Sequence, residues 1–303
     1  MIEIAPIAGD ADEQLSLDAY NEVWPHAAFG LAEVHSFKST LLDHVDLLAR
    51  EGGEVVGSGF SGIRPGFPEL AFMIVTVLRG HRRRGAGTAL YRATSDWARE
   101  RGLDTLEVRV ADDDSKSLAF AQKRGFVEQR REKGVALDLT AIEPPAVQAP
   151  PGIEIVTWAE RPELAHGMFE VSVEASPDVP GYEDEQQEPF EDWLAHEMQG
   201  SGDRPEATFV AVAGDEVVGY AKFSLTDAMP TTAHHDMTAV RRAWRKRGIA
   251  RALKTTQITW AKANGYEQLQ TVNDERNTAM RRLNADLGYR PSVGQIFLRG
   301  PLA

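Results

Sequence analysis

The chain has 303 residues, 42% of them hydrophobic and 26% charged, with no cysteine and a formal net charge of −13. Apolar content near the globular average excludes a disordered tail, and the lack of cysteine excludes a disulfide scaffold, thiolate catalysis and thiolate metal ligation. The 46 acids against 33 lysines and arginines argue against nucleic acid or an anionic membrane as partner, but a small anion can still dock where bases cluster.

In chain order, a strand is predicted over residues 2–7, followed by helical material and a hairpin of strands 45–49 and 55–60 around Gly52-Gly53. A further strand, 70–77, runs into an arginine-rich loop that opens a helix over 85–101, with Leu90, Thr94, Trp97 and Ala98 at helical spacing. Gly102 ends that helix. A strand at 106–110, a helix at 115–123 and closing strands complete the first half. Pro144, Pro145, Pro150 and Pro151 then mark a stiff linker, so two domains are expected, 1–140 and 152–303, joined by 141–151. The second half repeats the order. It has a strand at 153–158, helical turns at Pro162 and over 190–198, a hairpin of 207–212 and 217–223, and a strand at 233–240. A helix over 248–264 ended by Gly265, a strand at 269–272 and a helix at 277–287 follow. No run reaches the roughly 18 apolar residues of a membrane span, and the first residues lack a secretory pattern. A cytoplasmic protein of mixed α/β class is expected.

The repetition is more than one of order. Setting residue n against n+163 aligns 77–126 with 240–289 without a gap. Arg79 then meets Arg242, Arg82 meets Arg245, Arg84 meets Arg247, Gly85 meets Gly248, Trp97 meets Trp260 and Gly125 meets Gly288. Upstream, Gly52-Gly53-Glu54-Val55-Val56-Gly57 parallels Gly214-Asp215-Glu216-Val217-Val218-Gly219 at an offset of 162, a one-residue change of loop length. The chain is a duplicated domain, and the paired tryptophans are expected in the cores.

In both copies a strand leads through a short basic loop into a helix: Arg82-Arg83-Arg84-Gly85-Ala86-Gly87 and Arg245-Lys246-Arg247-Gly248-Ile249-Ala250. The first turn of a helix has unpaired N–H groups and a partial positive charge, so it attracts phosphate. Glycine or alanine there lets an anion approach the backbone, and the arginines add charge and forked donors. A dinucleotide-binding reading fails, because its third glycine would fall at Leu90.

At these residues the sequence resembles the GNAT superfamily of acyl-CoA N-acyltransferases. Arg82-x-x-Gly85-x-Gly87 and Arg245-x-x-Gly248-x-Ala250 match its loop. Asn277 through Gly288-Tyr289 matches its later helix, and Asp114 through Gly125-Phe126 matches with Asp in place of Asn. The resemblance covers both halves and implies two tandem GNAT-like domains, each a splayed mixed sheet flanked by helices. It implies acetyl-CoA as co-substrate, with pantetheine along the backbone of Val75–Val77 and Thr238–Val240. The pyrophosphate would lie on the amides of 82–87 and 245–250, including Gly85, Ala86, Gly87, Gly248, Ile249 and Ala250. Arg82, Arg84, Arg245 and Arg247 stand beside it, with Asn277 on the later helix.

Acyl transfer to an amine needs a proton acceptor within reach. The second copy offers His234, His235 and Asp236, and strand alternation puts His234 and Asp236 on one face and His235 on the other. Strand 70–77 of the first copy has no titratable residue, so the C-terminal copy is expected to be catalytic. Many relatives place a tyrosine acid four residues before the Gly-Phe glycine; here those positions are Ala121 and Asn284. Asn284 belongs to the expected site but cannot protonate a thiolate. The expected function is therefore acetyl transfer to a primary amine of a small molecule, and the alternative is a non-catalytic acyl-CoA-binding or regulatory protein. Glu183, Asp184, Glu185, Glu188, Glu191 and Asp192 suit a cationic acceptor or a solvated acidic loop equally. No metal site is expected, and a homodimer is left open.

Overall fold

A computed structural model of the chain describes residues 1–180, 183 and 186–303. It divides into two units, one of residues 1–131 with 293–303 and one of residues 132–292.

The first unit begins with strand β1 (Ile2–Pro6), helices α1 (Asp10–Val23) and α2 (Leu31–Ser39), and strands β2 (Asp43–Glu51), β3 (Glu54–Ile63) and β4 (Ala71–Val77). Helix α3 (Ala86–Glu100), strand β5 (Thr105–Ala111) and helix α4 (Ser115–Gln122) follow, and strand β6 (Val127–Asp138) leads into the second unit. That unit holds β7 (Glu154–Thr157), α5 (Ala165–Ala175), α6 (Phe190–Trp193), β8 (Phe209–Ala213), β9 (Glu216–Ser224) and β10 (Thr232–Val240). It continues with α7 (Ile249–Ala263), β11 (Gln268–Asp274) and α8 (Thr278–Asp286), and β12 (Arg290–Pro301) runs back into the first unit.

Strand order is β1-β2-β3-β4-β5-β12 in the first unit and β7-β8-β9-β10-β11-β6 in the second. In each, one pair is parallel. β4 and β5 pair only from Ala71↔Leu106 to Met73↔Val108, and β10 and β11 only from Thr232↔Gln268 to His234↔Gln270. Beyond those points the strands part, which opens a splay in the middle of each sheet. β3 and β4 keep a continuous antiparallel register, whereas β10 is bulged against β9 between His235 and Thr238.

The two halves of the chain exchange their closing strands. Residues 132–138 of β6 pair with β11, and residues 295–301 of β12 pair with β5. Alternation along a strand fixes which face is buried but not which neighbour it joins, so the partner is not written in the local pattern. The two units accordingly meet in the chain at 131 and at 292. The proline-rich segment lies within the second unit, where Ile142 packs on the core and its carbonyl accepts from Lys262.

Helix α3 buries Ala86, Leu90, Tyr91, Thr94, Trp97 and Ala98, the one face that its spacing predicts. Each fully buried Leu- or Trp-sized side chain there contributes roughly 1.5–3 kcal/mol. Trp97 is buried, with the Arg101 guanidinium 4.2 Å from its ring; Trp260 is half-buried against Phe223 and Tyr266.

Candidate functional site

The two basic loops have the same backbone. A 3-10 turn (Arg79–His81; Arg242–Trp244) leads to an extended Arg82 or Arg245, then to Arg83 at φ 69° or Lys246 at φ 64°. Gly85 at φ 100° and Gly248 at φ 88° then precede the helix in the left-handed region that favours glycine. Neither helix has a side-chain N-cap, so first-turn amides stand uncovered. A Cβ built on Gly85 would meet nothing within 4 Å, and one on Gly248 would meet only Pro150 at 3.7 Å. These cradles fit a pyrophosphate.

The arginines expected beside the anion divide into two kinds. Arg82 and Arg245 turn inward, each donating from Nε to the carbonyl that ends the preceding strand, Val77 at 3.2 Å and Val240 at 3.0 Å. They also pair with Asp114 at 3.2 Å and Asp178 at 2.7 Å. Asp178 holds Arg242 as well, and the two guanidinium groups lower its pKa to about 2. These two arginines brace the loops. Arg84 lies 3.5 Å from Glu51 and Arg247 lies over the Trp244 ring at 4.7 Å, both more open to a ligand. Asn277 caps α8 by accepting the Met280 N–H at 3.2 Å, as Asp114 caps α4.

On β10 the expected split of faces is present. Asp236 stands at the rim with 41% of its side chain exposed, 2.8 Å from Lys222 Nζ. Burial acts to raise its pKa, but Lys222 and then His234 outweigh it and hold the carboxyl below its ordinary range. Lys222 is buried, pairs also with Asp203 at 2.8 Å, and donates to the Glu197 carbonyl. His235 points the other way, beneath the sheet. Its Nδ1 lies 3.0 Å from Gln257 Oε1, and its Nε2 is hydrogen-bonded to the Tyr289 hydroxyl. Burial first, then Lys254 and His234, push its pKa far down. His234 ends the parallel pairing with β11, at the start of the splay.

Asn284 is buried and donates to Asn273 Oδ1 at 2.6 Å, while its own Oδ1 has no partner among the described residues. Nearby, Lys254 on α7 is 2% exposed with its Nζ 5.5 Å from the Tyr289 ring, and burial lowers its pKa to about 7. Sequence reading missed Lys222 and Lys254. Lys254 shares its helical stripe with Ile258 and Ala261, and that spacing was the available signal. Of the acidic run, Asp184 and Glu185 lie outside the described residues, Glu188 pairs with His196 at 3.1 Å, and Glu183 lies 3.8 Å from Arg276. Among the described residues no group of three or more His, Asp or Glu could hold a metal ion, and no helix is long and apolar enough to cross a membrane.

The family model "Acetyltransferase (GNAT) family" matches residues 13–126 and again residues 166–289. The chain belongs to the GNAT family. This tandem GNAT chain is similar in fold to a tandem GNAT protein from the clavulanic acid biosynthesis pathway. The TM-score is 0.79 at 22% identity, over 100% of this chain and 99% of that one. It is also similar to a GCN5-related N-acetyltransferase from Sphaerobacter thermophilus, with TM-score 0.78 and 20% identity over 99% and 96% of the two chains. A third likeness is to a fungal protein described as carrying a glucosamine N-acetyltransferase region. There the TM-score is 0.73 at 15% identity, over 98% of this chain and 38% of that one. No protein of curated function matches the chain in sequence. Membership brings an acyltransferase fold whose family uses acyl-CoA as co-substrate.

Proposed function

We propose that the tandem GNAT chain transfers an acetyl group from acetyl-CoA to a primary amine of a small molecule, with transfer in the C-terminal copy. The observation that carries this reading is the bulge of β10. It leaves backbone at Asp236–Met237 out of register with β9 where the splay opens, and a bulge there frees polar groups and re-aims a side chain. A free N–H at that point suits the thioester oxygen, which gains charge as the amine attacks.

In this scheme the cradle amides and Arg247 hold the pyrophosphate, and Arg245 keeps the loop in place. Pantetheine lies along Thr238–Val240. The amine nitrogen bonds to the thioester carbon, the C–S bond breaks, and the thiolate departs to be protonated by water. A carboxylate held below its usual range cannot strip a free ammonium. It can accept a proton, directly or through water, once attack has made the nitrogen cationic, and Asp236 fits that step. His235 fixes β10 to α7 and to Tyr289 and so positions the strand. The acceptor must arrive neutral, so the rate should rise with pH towards the amine's own pKa.

Steady-state CoA release by the full chain over an amine panel tests the assignment. Asp236→Asn is expected to lower kcat roughly a hundredfold with the KM for acetyl-CoA little changed; an unchanged kcat would remove the C-terminal copy as the transfer site. Calorimetry with acetyl-CoA separates the two cradles. Valine, whose branched Cβ resists the left-handed region, is expected to abolish one site in Gly85→Val and the other in Gly248→Val. Binding of acetyl-CoA with no CoA release from any amine would instead establish the non-catalytic reading, which the bracing of Asp236 by Lys222 and the lack of a tyrosine at Asn284 favour.

A further inference from the structure

The first unit contains a cavity of about 340 Å³ against the faces of β3, β4 and β5 and helices α1 and α2, within the range of small-molecule sites. Its wall is aromatic. Phe37, Phe60 and Phe72 stack in a group with centroids 5.5–6.3 Å apart, and Tyr20 lies against Phe29 at 5.9 Å. Phe29 and Phe37 remain 37% and 43% exposed although they line it. Water-exposed rings around a concave space are what a bound apolar group would cover.

The charges on the wall decide what else the ligand carries. Every acid there is already engaged: Glu13 and Asp46 share Lys38 at 2.6 and 2.8 Å, and Glu107 holds Arg64 at 2.9 Å and Arg299 at 3.1 Å. Glu33 accepts the Gly30 N–H at 2.8 Å. Of the three cations on the wall, Lys38 and Arg64 are thus held by carboxylates. Arg109 has no carboxylate among the described residues and lies 5.8 Å from the Trp24 ring. It is the first residue of β5 beyond the last pair with β4, so it stands at the mouth of the splay. The Thr76 hydroxyl on the wall is buried without a hydrogen bond, in a residue only 1% exposed, while the buried Tyr20 hydroxyl faces the Arg109 guanidinium. A buried unmet donor costs stability unless a ligand or water completes it.

The other copy differs at two of these positions. By strand register Ser58 of β3 corresponds to Tyr220 of β9, which packs with Met168, Trp193 and Met198. Arg109 corresponds to Val272. Duplication therefore put a large buried ring in one copy where the other has a small hydroxyl, and an aliphatic side chain where the other has the Arg109 guanidinium.

We infer that the N-terminal cavity binds an aryl or alkyl carboxylate, its apolar body among Phe37, Phe60 and Phe72 and its carboxylate on Arg109, with Tyr20 and Thr76 as further donors. A forked guanidinium matches a carboxylate in two parallel bonds, and an amine in its place would face a like charge. This site is separate from the proposed transfer site in the C-terminal copy and stands or falls without it.

The test is calorimetric titration of the full chain with 3-phenylpropionate and with phenethylamine, repeated by Trp24-sensitive fluorescence. The carboxylate is expected to bind at least tenfold more tightly than the amine, and Arg109→Met to weaken it tenfold or more. Ser58→Tyr, which installs the side chain found at the equivalent place in the other copy, is expected to abolish binding while acetyl-CoA titration still shows a folded protein. Equal affinity in wild type and Arg109→Met, preference for phenethylamine, or undiminished binding in Ser58→Tyr would each overturn the inference.

Discussion

Replacing Lys254 with methionine is expected to make the protein more stable, by about 4 kcal/mol at neutral pH. The ammonium is 2% exposed, its pKa is about 7 against an ordinary 10.5, and no carboxylate pairs with it among the described residues. An unfolded chain keeps Lys254 charged throughout this range, whereas the folded state must neutralise it or bury a charge. The sign follows from proton counting. Between about pH 7 and pH 10.5 the unfolded state binds more protons, so wild-type stability climbs with pH; the penalty is complete below about 7 and gone above about 10.5. His235, also depressed by burial, adds a slope of the same sign below its ordinary 6.5. Methionine keeps a similar unbranched volume without the charge. Differential scanning calorimetry at pH 6, 8 and 10 should show the wild-type melting temperature rising with pH. Lys254→Met should start about 5–10 °C higher and stay nearly flat above pH 7. A wild-type profile already flat between pH 7 and 10 would show that Lys254 is paired in the fold.

A single methyl group at Gly57 should do the reverse. A Cβ there would come 2.2 Å from the Thr76 carbonyl oxygen and 3.1 Å from Val77 Cα. Both obstacles are backbone of the neighbouring strand, so no rotamer change relieves them; β3 and β4 must separate along a register that runs unbroken from Gly57↔Val77 to Ile63↔Ala71. Gly57→Ala is expected to cost about 3–5 kcal/mol and to lower the melting of the first unit by about 10 °C. Gly219, at the equivalent place in β9, would meet the Ala239 oxygen at 2.7 Å, so Gly219→Ala should be milder. Because β4 leads into the first cradle, Gly57→Ala should also weaken acetyl-CoA at that cradle while sparing the second. Equal melting of both variants and wild type would mean that the strands stand farther apart in solution.

The duplicated architecture was legible because its signals are local. Glycines at 85 and 248, arginines at 82 and 245, and the alternation of His234, His235 and Asp236 each act through their own backbone geometry, and the structure places them in that geometry. What those side chains meet was not legible. Arg82 and Arg245 look like anion ligands in sequence but are turned to strand carbonyls, and Asn277 caps a helix. Asp236 looks like a free base and is clamped by Lys222, a residue fourteen positions earlier that only the β9–β10 pairing brings near.

Sequence by itself determined the element order, the twofold repeat, the two loop–helix cradles and the two faces of the His234–Asp236 strand, all of which follow from periodicity and backbone preference over a few residues. Tertiary structure alone decided which closing strand completes which sheet, since any strand with the right face can take an open edge. It also decided which buried charges find partners and how each copy is packed. Those outcomes depend on volumes and distances summed over residues far apart in the chain: Ser58 and Tyr220 occupy equivalent positions, yet one lines a cavity and the other packs in a core cluster.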